Sequence, residues 1–345
     1  MLSYPAWIVK AFFLLLCAEF CGAVPRQGGA SSGAAQAFLE RSFHIIMKIH
    51  NRIFALLLAL LLWAVPAFAE EESAVPVLVD RINTPETDAD FAFAEDAALF
   101  EVLFPQILNC DAILLRCEGE TILVDCATQG QAVRIINMCN QLGITHIDKV
   151  VNTHPHEDHI GGFRELIKKV TVGELWVCFS QSYNEHITKA VEAANKAEIP
   201  VYTYGNGDVF TLGGATIEVW MLEDESLGLN DASAQFYITY GERTMLMAAD
   251  LEKTGQKQLV ALKGEALAAD ILKYPHHGID PLNEDYLAAV SPAYIVVTNN
   301  HRKTDGWYAI RKYDVPFAYS VPGFVYLSTD GATWVADRIV SEIKY

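Results

Sequence analysis

The stretch "NTHPHEDHIGG", residues 152–162, sets three histidines and two acids within six positions, His154 to His159. A lone histidine is usually a satisfied surface or core residue, but packing rarely asks for such a run. On a regular strand, residues 154, 156 and 158 share a face; on a helix they do not. Pro155 argues against a continuing central strand, and Gly161-Gly162 loosen the chain next. The cluster is therefore expected on a loop at the end of a short buried strand, 148–153, where side chains can wrap around a centre. Imidazole nitrogens and carboxylate oxygens suit a borderline divalent ion such as zinc, with manganese as the alternative. His154, His156, Asp158 and His159 lie within six residues, and the adjacent Asp158 and His159 point apart. That arrangement suits two ions better than one, and two ions need a bridging group and further donors.

Strand ends elsewhere offer them. Asp250 closes "RTMLMAAD" (243–250), and His276-His277 follow "DILKYP" (270–275) ahead of Gly278. Asp250 alone also reads as a helix N-cap for the "LEKTG" that follows. His186, between the cluster and His276, falls on an expected helix over 184–197. Other elements read clearly. "AILLRCEGETILVDCA" (112–127) is two strands around a Glu-Gly turn. Val133, Ile136, Cys139 and Leu142 fit one face of a helix. "ELWVCF", "ATIEVWML", "AQFYITY" and "AYIVVTN" are strands, helices are expected near 254–262 and 283–290, and short strands with turns follow Pro316. Two sheets covered by helices accommodate this mixed order.

The chain has 345 residues and formal net charge −18. That acidity disfavours a long polyanionic partner, because nucleic-acid binding draws on basic patches. Residues 47–69, "MKIHNRIFALLLALLLWAVPAFA", read as a signal peptide cleaved after Ala69: Lys48 and Arg52, a short apolar run, then Ala-Phe-Ala. The run is too short for a comfortable membrane span. Residues 1–46 contain a second apolar stretch and read as an over-extended start, with Met47 as the true one; a membrane-anchored precursor is the alternative. Residues 70–90 read as a flexible entry segment, and residues 91–345 as one domain. Beyond residue 69, Cys110, Cys117, Cys126, Cys139 and Cys178 form no C-x-x-C pair. Buried single thiols are expected rather than a disulfide framework.

"THPHEDHIGG" resembles the H-x-H-x-D-H signature of the metallo-β-lactamase fold superfamily. "ILVDCA", "LNDASAQFYI", "MLMAAD" and "ILKYPHHGI" follow in the family's order. The combination is similar to the branch that includes the hydrolase domain of the competence DNA-uptake protein ComEC and the phosphorylcholine esterases of bacterial surfaces. The resemblance covers roughly residues 105–330 and implies an α+β fold, a four-layer αββα sandwich with metals at one edge between the sheets. It implies His154 and His156 on the first metal, Asp158 and His159 on the second with one of His276 or His277, His277 being favoured, and Asp250 bridging. It further implies His276 as a donor facing the substrate and Asp125 as an outer partner of the histidine loop. Where many members supply a third histidine to the first metal, this chain has Asn230-Asp231-Ala232-Ser233. Asp231 is expected to substitute or to brace that loop.

The implied function is that of an exported enzyme, a hydrolase working through a metal-bound hydroxide, with Asp158 taking the water's proton. A phosphodiester or phosphorylcholine-type ester, on a small molecule or surface polymer, ranks first. An extracellular nuclease, a lactonase or β-lactamase, and a non-catalytic metal-binding surface module follow. No protein partner and no stable membrane span of the mature form are expected. Of the aromatics, Tyr274 is the candidate to line the site and Trp176 a core residue; "NNHRKTDGWY" (299–308) has the look of a mouth loop.

Overall fold

A computed structural model describes residues 76–88, 90–300 and 303–339. The strands are β1 Leu78–Asp80, β2 Phe100–Phe104, β3 Ile113–Cys117, β4 Glu120–Val124, β5 His146–Asn152, β6 Thr171–Val177, β7 Val201–Thr203 and β8 Val209–Leu212. They continue as β9 Ala215–Trp220, β10 Gln235–Tyr240, β11 Arg243–Met247, β12 Ile271–Lys273, β13 Tyr294–Val297, β14 Phe317–Tyr319, β15 Phe324–Thr329 and β16 Trp334–Ile339. The α-helices are α1 Pro85–Asp88, α2 Ala132–Gln141, α3 Glu157–Ile160, α4 Phe163–Leu166, α5 Glu185–Lys196, α6 Lys253–Lys263, α7 Glu284–Val290 and α8 Asp305–Ile310.

One sheet runs β1-β16-β15-β2-β3-β4-β5-β6-β7 and the other β14-β13-β12-β11-β10-β9-β8. Alternation along the strands builds the layers. Val102, Ile113, Leu115, Ile122 and Val124 of the first sheet meet Ile217, Val219, Phe236, Met245 and Val296 of the second in a core between the sheets. Their neighbours Leu103, Leu114, Leu123 and Val150 face outward under Ile135 and Cys139 of α2 and Ile187 and Ala190 of α5. Leu246, Leu272 and Ile295 face outward under Leu259 of α6 and Tyr286 and Val290 of α7. Both faces of both sheets are thus buried, which is why the central strands read as continuous apolar runs. The expected four-layer αββα sandwich is the fold observed.

Several local expectations differ. The segment expected to be a flexible entry contains β1, which pairs in parallel with β16, Leu78 opposite Trp334. Asp80 fixes the turn after it by accepting from the backbone of Ile82 and Asn83. β2, β7, β8 and α8 escaped the sequence reading because they are short, although Gly213-Gly214 between β8 and β9 is a hairpin turn signal. The expected helix after Gly161-Gly162 is a single turn, α4. The cluster is not wholly a loop: His154 and His156 lie on one, but Asp158 and His159 sit in the one-turn α3, whose first turn carries Glu157 and Asp158 at the end that favours negative charge. Gly162 is a close-approach residue, since a Cβ there would fall 2.1 Å from the Cys126 carbonyl oxygen. The five cysteines beyond residue 69 are free, and all but Cys178 are buried. The readings of residues 1–69 as an over-extended start and a signal peptide lie outside the described residues. Among those described, no helix is long and apolar enough to cross a membrane.

Candidate metal centre

The chain ends of β4, β5, β11 and β12 open on the same edge of the sandwich. β5 delivers Asn152 and the histidine loop. β11 leads to Asp250, and β12 leads through Tyr274 to the His276-His277 turn. Both histidines of that turn take left-handed backbone angles, φ 49° and 52°. Such angles are uncommon for non-glycine residues and mark a conformation held by its surroundings. The holding contacts are visible. The His276 N–H donates to the Ala249 carbonyl at 3.0 Å, and Asn299 Nδ2 donates to the His277 carbonyl at 3.1 Å. Thr304 Oγ1 donates to the Gly278 carbonyl at 2.8 Å.

The structure brings His154, His156, Asp158, His159, Asp250, His276 and His277 together. His159 Nε2 lies 3.1 Å from Asp250 Oδ2, His277 Nε2 3.4 Å, His154 Nε2 3.8 Å and His276 Nε2 4.0 Å. His277 Nε2 is also 3.4 Å from Asp158 Oδ2, and His154 Nε2 is 2.9 Å from His156 Nδ1. Two donors each about 2 Å from one zinc ion sit roughly 3 to 4 Å apart, so these separations fit shared coordination. Asp250 Oδ1 and His277 Nε2 are buried without a hydrogen-bond partner, an expense that a buried site avoids when an ion satisfies them. Charge agrees. Asp111, Asp125, Asp158 and Asp250 crowd here against one ammonium, that of Lys273. Burial opposes charge on His159 and His277, yet Asp250 with Asp125 and Asp250 with Asp111 hold the two rings well above the ordinary histidine range. Burial, reinforced by His159, pushes His154 well below it. Burial raises Asp158, but the neighbouring His277 and His159 rings outweigh it and set its pKa at about 2. A divalent cation would take the place of the ring protons, and the donor set fits one.

Asp125 is where the sequence placed it, behind the histidine loop. Its Oδ2 sits 2.7 Å from His159 Nδ1 and accepts from Thr153 Oγ1 at 2.7 Å, while Oδ1 accepts from Asn152 Nδ2 and Thr153 N. This fixes the His159 tautomer with Nε2 facing the centre. An Asp125→Asn variant should bind metal 10- to 100-fold more weakly by roughly the cost of such partners. Zinc competition against a chromophoric chelator checks it; unchanged affinity would refute the role.

Asp231 braces the loop. Its Oδ1 accepts from the Glu252 and Gly255 N–H groups at 2.7 and 3.0 Å, satisfying the start of α6. Asp250 therefore does not cap that helix. His186 stays on α5, beside Gln129, Glu157 and Arg164, outside the convergent group. Tyr274 does not line the site: it is buried under α7, with its hydroxyl donating to the Asp280 carbonyl at 2.8 Å. Trp176 packs on Tyr202 and Phe210 as expected of a core residue. Residues 304–306 of the expected mouth loop instead brace the His-His-Gly turn and start α8.

The sequence reading missed Asp111, Lys273 and Thr298. Asp111 lies within reach of His159, Asp250 and His277, but its oxygens are already committed. Oδ2 takes the Lys273 ammonium, and Oδ1 accepts from Thr298 Oγ1 at 2.6 Å and contacts His277 Nδ1 at 3.1 Å. Asp111 is thus to His277 what Asp125 is to His159. Burial would raise its pKa, but Lys273 and His277 hold it well below the carboxylate range. One signal was available: a lysine inside the apolar strand "DILKYP" must find a buried partner.

The Metallo-beta-lactamase superfamily model matches residues 106–298. Competence protein ComA of Neisseria gonorrhoeae is 25% identical over 192 residues, covering 55% of this chain and 26% of that protein. ComE operon protein 3 of Bacillus subtilis is 24% identical over 158 residues, 45% of this chain and 20% of that protein. The chain thus matches about a quarter or less of the length of these relatives. Among solved structures, the metallo-beta-lactamase fold protein YhfI from Bacillus subtilis is 12% identical with a TM-score of 0.48, covering 67% of this chain and 100% of that one. With the family model spanning more than half of its residues, the chain belongs to the metallo-β-lactamase superfamily of metal-dependent hydrolases.

Proposed function

We propose that this protein is an exported hydrolase that holds two zinc or manganese ions and acts on a phosphodiester or phosphorylcholine-type ester. The observation that carries the two-ion reading is the convergence of six donors, His154, His156, Asp158, His159, Asp250 and His277, more than the four that one zinc ion takes. When bound, such a pair supplies an activated water and polarises the bond under attack. The chain's own residues do the rest. Asp250 spans the two donor groups. Asp125 and Asp111 hold the rings of His159 and His277 in register. Asp158, with a side chain 30% exposed at the mouth, is placed to hold a proton beside the incoming substrate. The leader-like residues 47–69 support export, and the motif resemblance to the branch of the ComEC hydrolase domain and the phosphorylcholine esterases supports the phosphoester class. The substrate is a small molecule or surface polymer, and no protein partner is required.

The same similarity favours a second reading, a nuclease, against which the net charge of −18 stands. Turnover of bis(p-nitrophenyl) phosphate and p-nitrophenyl phosphorylcholine by the metal-loaded protein tests the first reading. The expected result is turnover with at least one substrate, lost in Asp158→Ala. Silence on both at full metal occupancy overturns the phosphoester assignment in favour of carboxyl esters and lactones. Salt-sensitive binding and cleavage of DNA would select the nuclease.

A further inference from the structure

The two donor groups are unequal. The two-ion reading assigns Asp158, His159 and His277 to one ion, but only His154 and His156 to the other. The segment 230–233 holds no imidazole, and Asp231 Oδ1 is taken by the Glu252 and Gly255 N–H groups. Counting the shared Asp250, the first ion has three protein donors and the second four. One further nitrogen beside His154 and His156 would make the two sides equal.

His276 has the geometry to be that nitrogen. Its Nε2 lies 4.0 Å from Asp250 Oδ2, the oxygen approached at 3.8 Å by His154 Nε2. Its other nitrogen, Nδ1, lies 3.5 Å from Asp280 Oδ2 and 3.8 Å from Glu252 Oε1, and is buried without a hydrogen-bond partner. Carboxylates within 4 Å of one ring nitrogen, with the other nitrogen aimed inward, are placed to orient a ligating histidine. The backbone supports it. With both residues of the doublet left-handed, consecutive rings reach the same oxygen from separate directions, at 60° to one another with centroids 5.9 Å apart. The His276 N–H is also pinned to the carbonyl of Ala249, next to Asp250.

We infer that His276 is the third protein nitrogen of the first ion, so that the His276-His277 doublet serves both ions and replaces a histidine missing from residues 230–233. The inference rests on the two-ion reading above. It makes His276 a ligand rather than a free donor to the substrate.

The test is zinc binding by the whole protein, measured as stoichiometry and affinity by chelator competition, with X-ray absorption counting imidazoles. His276→Asn is the first variant, since asparagine tolerates left-handed backbone. The parent protein is expected to bind two zinc ions. His276→Asn is expected to keep one at parental affinity and to lose at least about 100-fold on the other, more than an outer partner costs. The imidazole count should fall by one. Two ions at parental affinity in His276→Asn, with turnover reduced, would overturn the inference and return His276 to the substrate. If that variant does not fold, Asp280→Asn decides: it should weaken one ion by about 10-fold or more, and no change overturns the inference. A folded parent protein binding one ion or none would refute the two-ion reading itself, and that failure is visible without any variant.

Discussion

An Asp250→Ala variant is expected to lose more than about 100-fold in turnover, beyond the cost of removing an outer partner. It should also release at least one ion on gel filtration. The reason is position. Asp250 is 1% exposed, and its Oδ2 lies within 4.0 Å of ring nitrogens on His154, His159, His276 and His277. Removing it deprives both donor groups at once and leaves four imidazoles facing one another without a shared anion. An Asp158→Ala variant keeps that anion, so it should retain more metal while losing turnover. Elemental analysis of the two variants beside the parent separates the cases. Parental metal content in Asp250→Ala would show that the carboxylate does not bridge.

The second large effect concerns stability. Lys273 is fully buried, and its ammonium meets Asp111, 2% exposed, and the Ala249 carbonyl at 2.9 Å. A Lys273→Met variant keeps the side-chain volume but strands the Asp111 carboxylate in the interior. Breaking a buried pair in this way costs about 3–5 kcal/mol, a large part of the stability of an ordinary domain. Denaturant unfolding at neutral pH measures it. The double variant Lys273→Met/Asp111→Asn should recover much of that loss, because the neutral amide oxygen still accepts from Thr298 and His277. A single variant within about 1 kcal/mol of the parent would show that the pair carries no such load.

The same pair explains the limits of reading the chain alone. His154, His156, Asp158 and His159 announce themselves because four donors within one turn of chain have no packing rationale. His276-His277 and Asp250 were legible as donors at the ends of apolar strands. Those strands in turn gave the sandwich, because a strand buried on both faces must be covered on both. Asp111 was not legible. It sits in "NCDAI" with no motif around it, and its partner Lys273 lies 162 positions away. Asp231 illustrates the converse, a motif residue whose carboxylate the fold spends on backbone N–H groups at the start of α6.

What the sequence determined, then, is which side chains carry the chemistry and on which strand ends they stand, since local spacing and the burial of apolar strands decide both. What the tertiary structure alone decided is the sharing of Asp250 Oδ2 among residues as far apart as His154 and His277. It also decided the pairing of the His277 ring with the buried Asp111 carboxylate. His277 meets Asp111 across 166 positions and His159 meets Asp250 across 91, from one sheet to the other, and no spacing within either sheet encodes the distance between them.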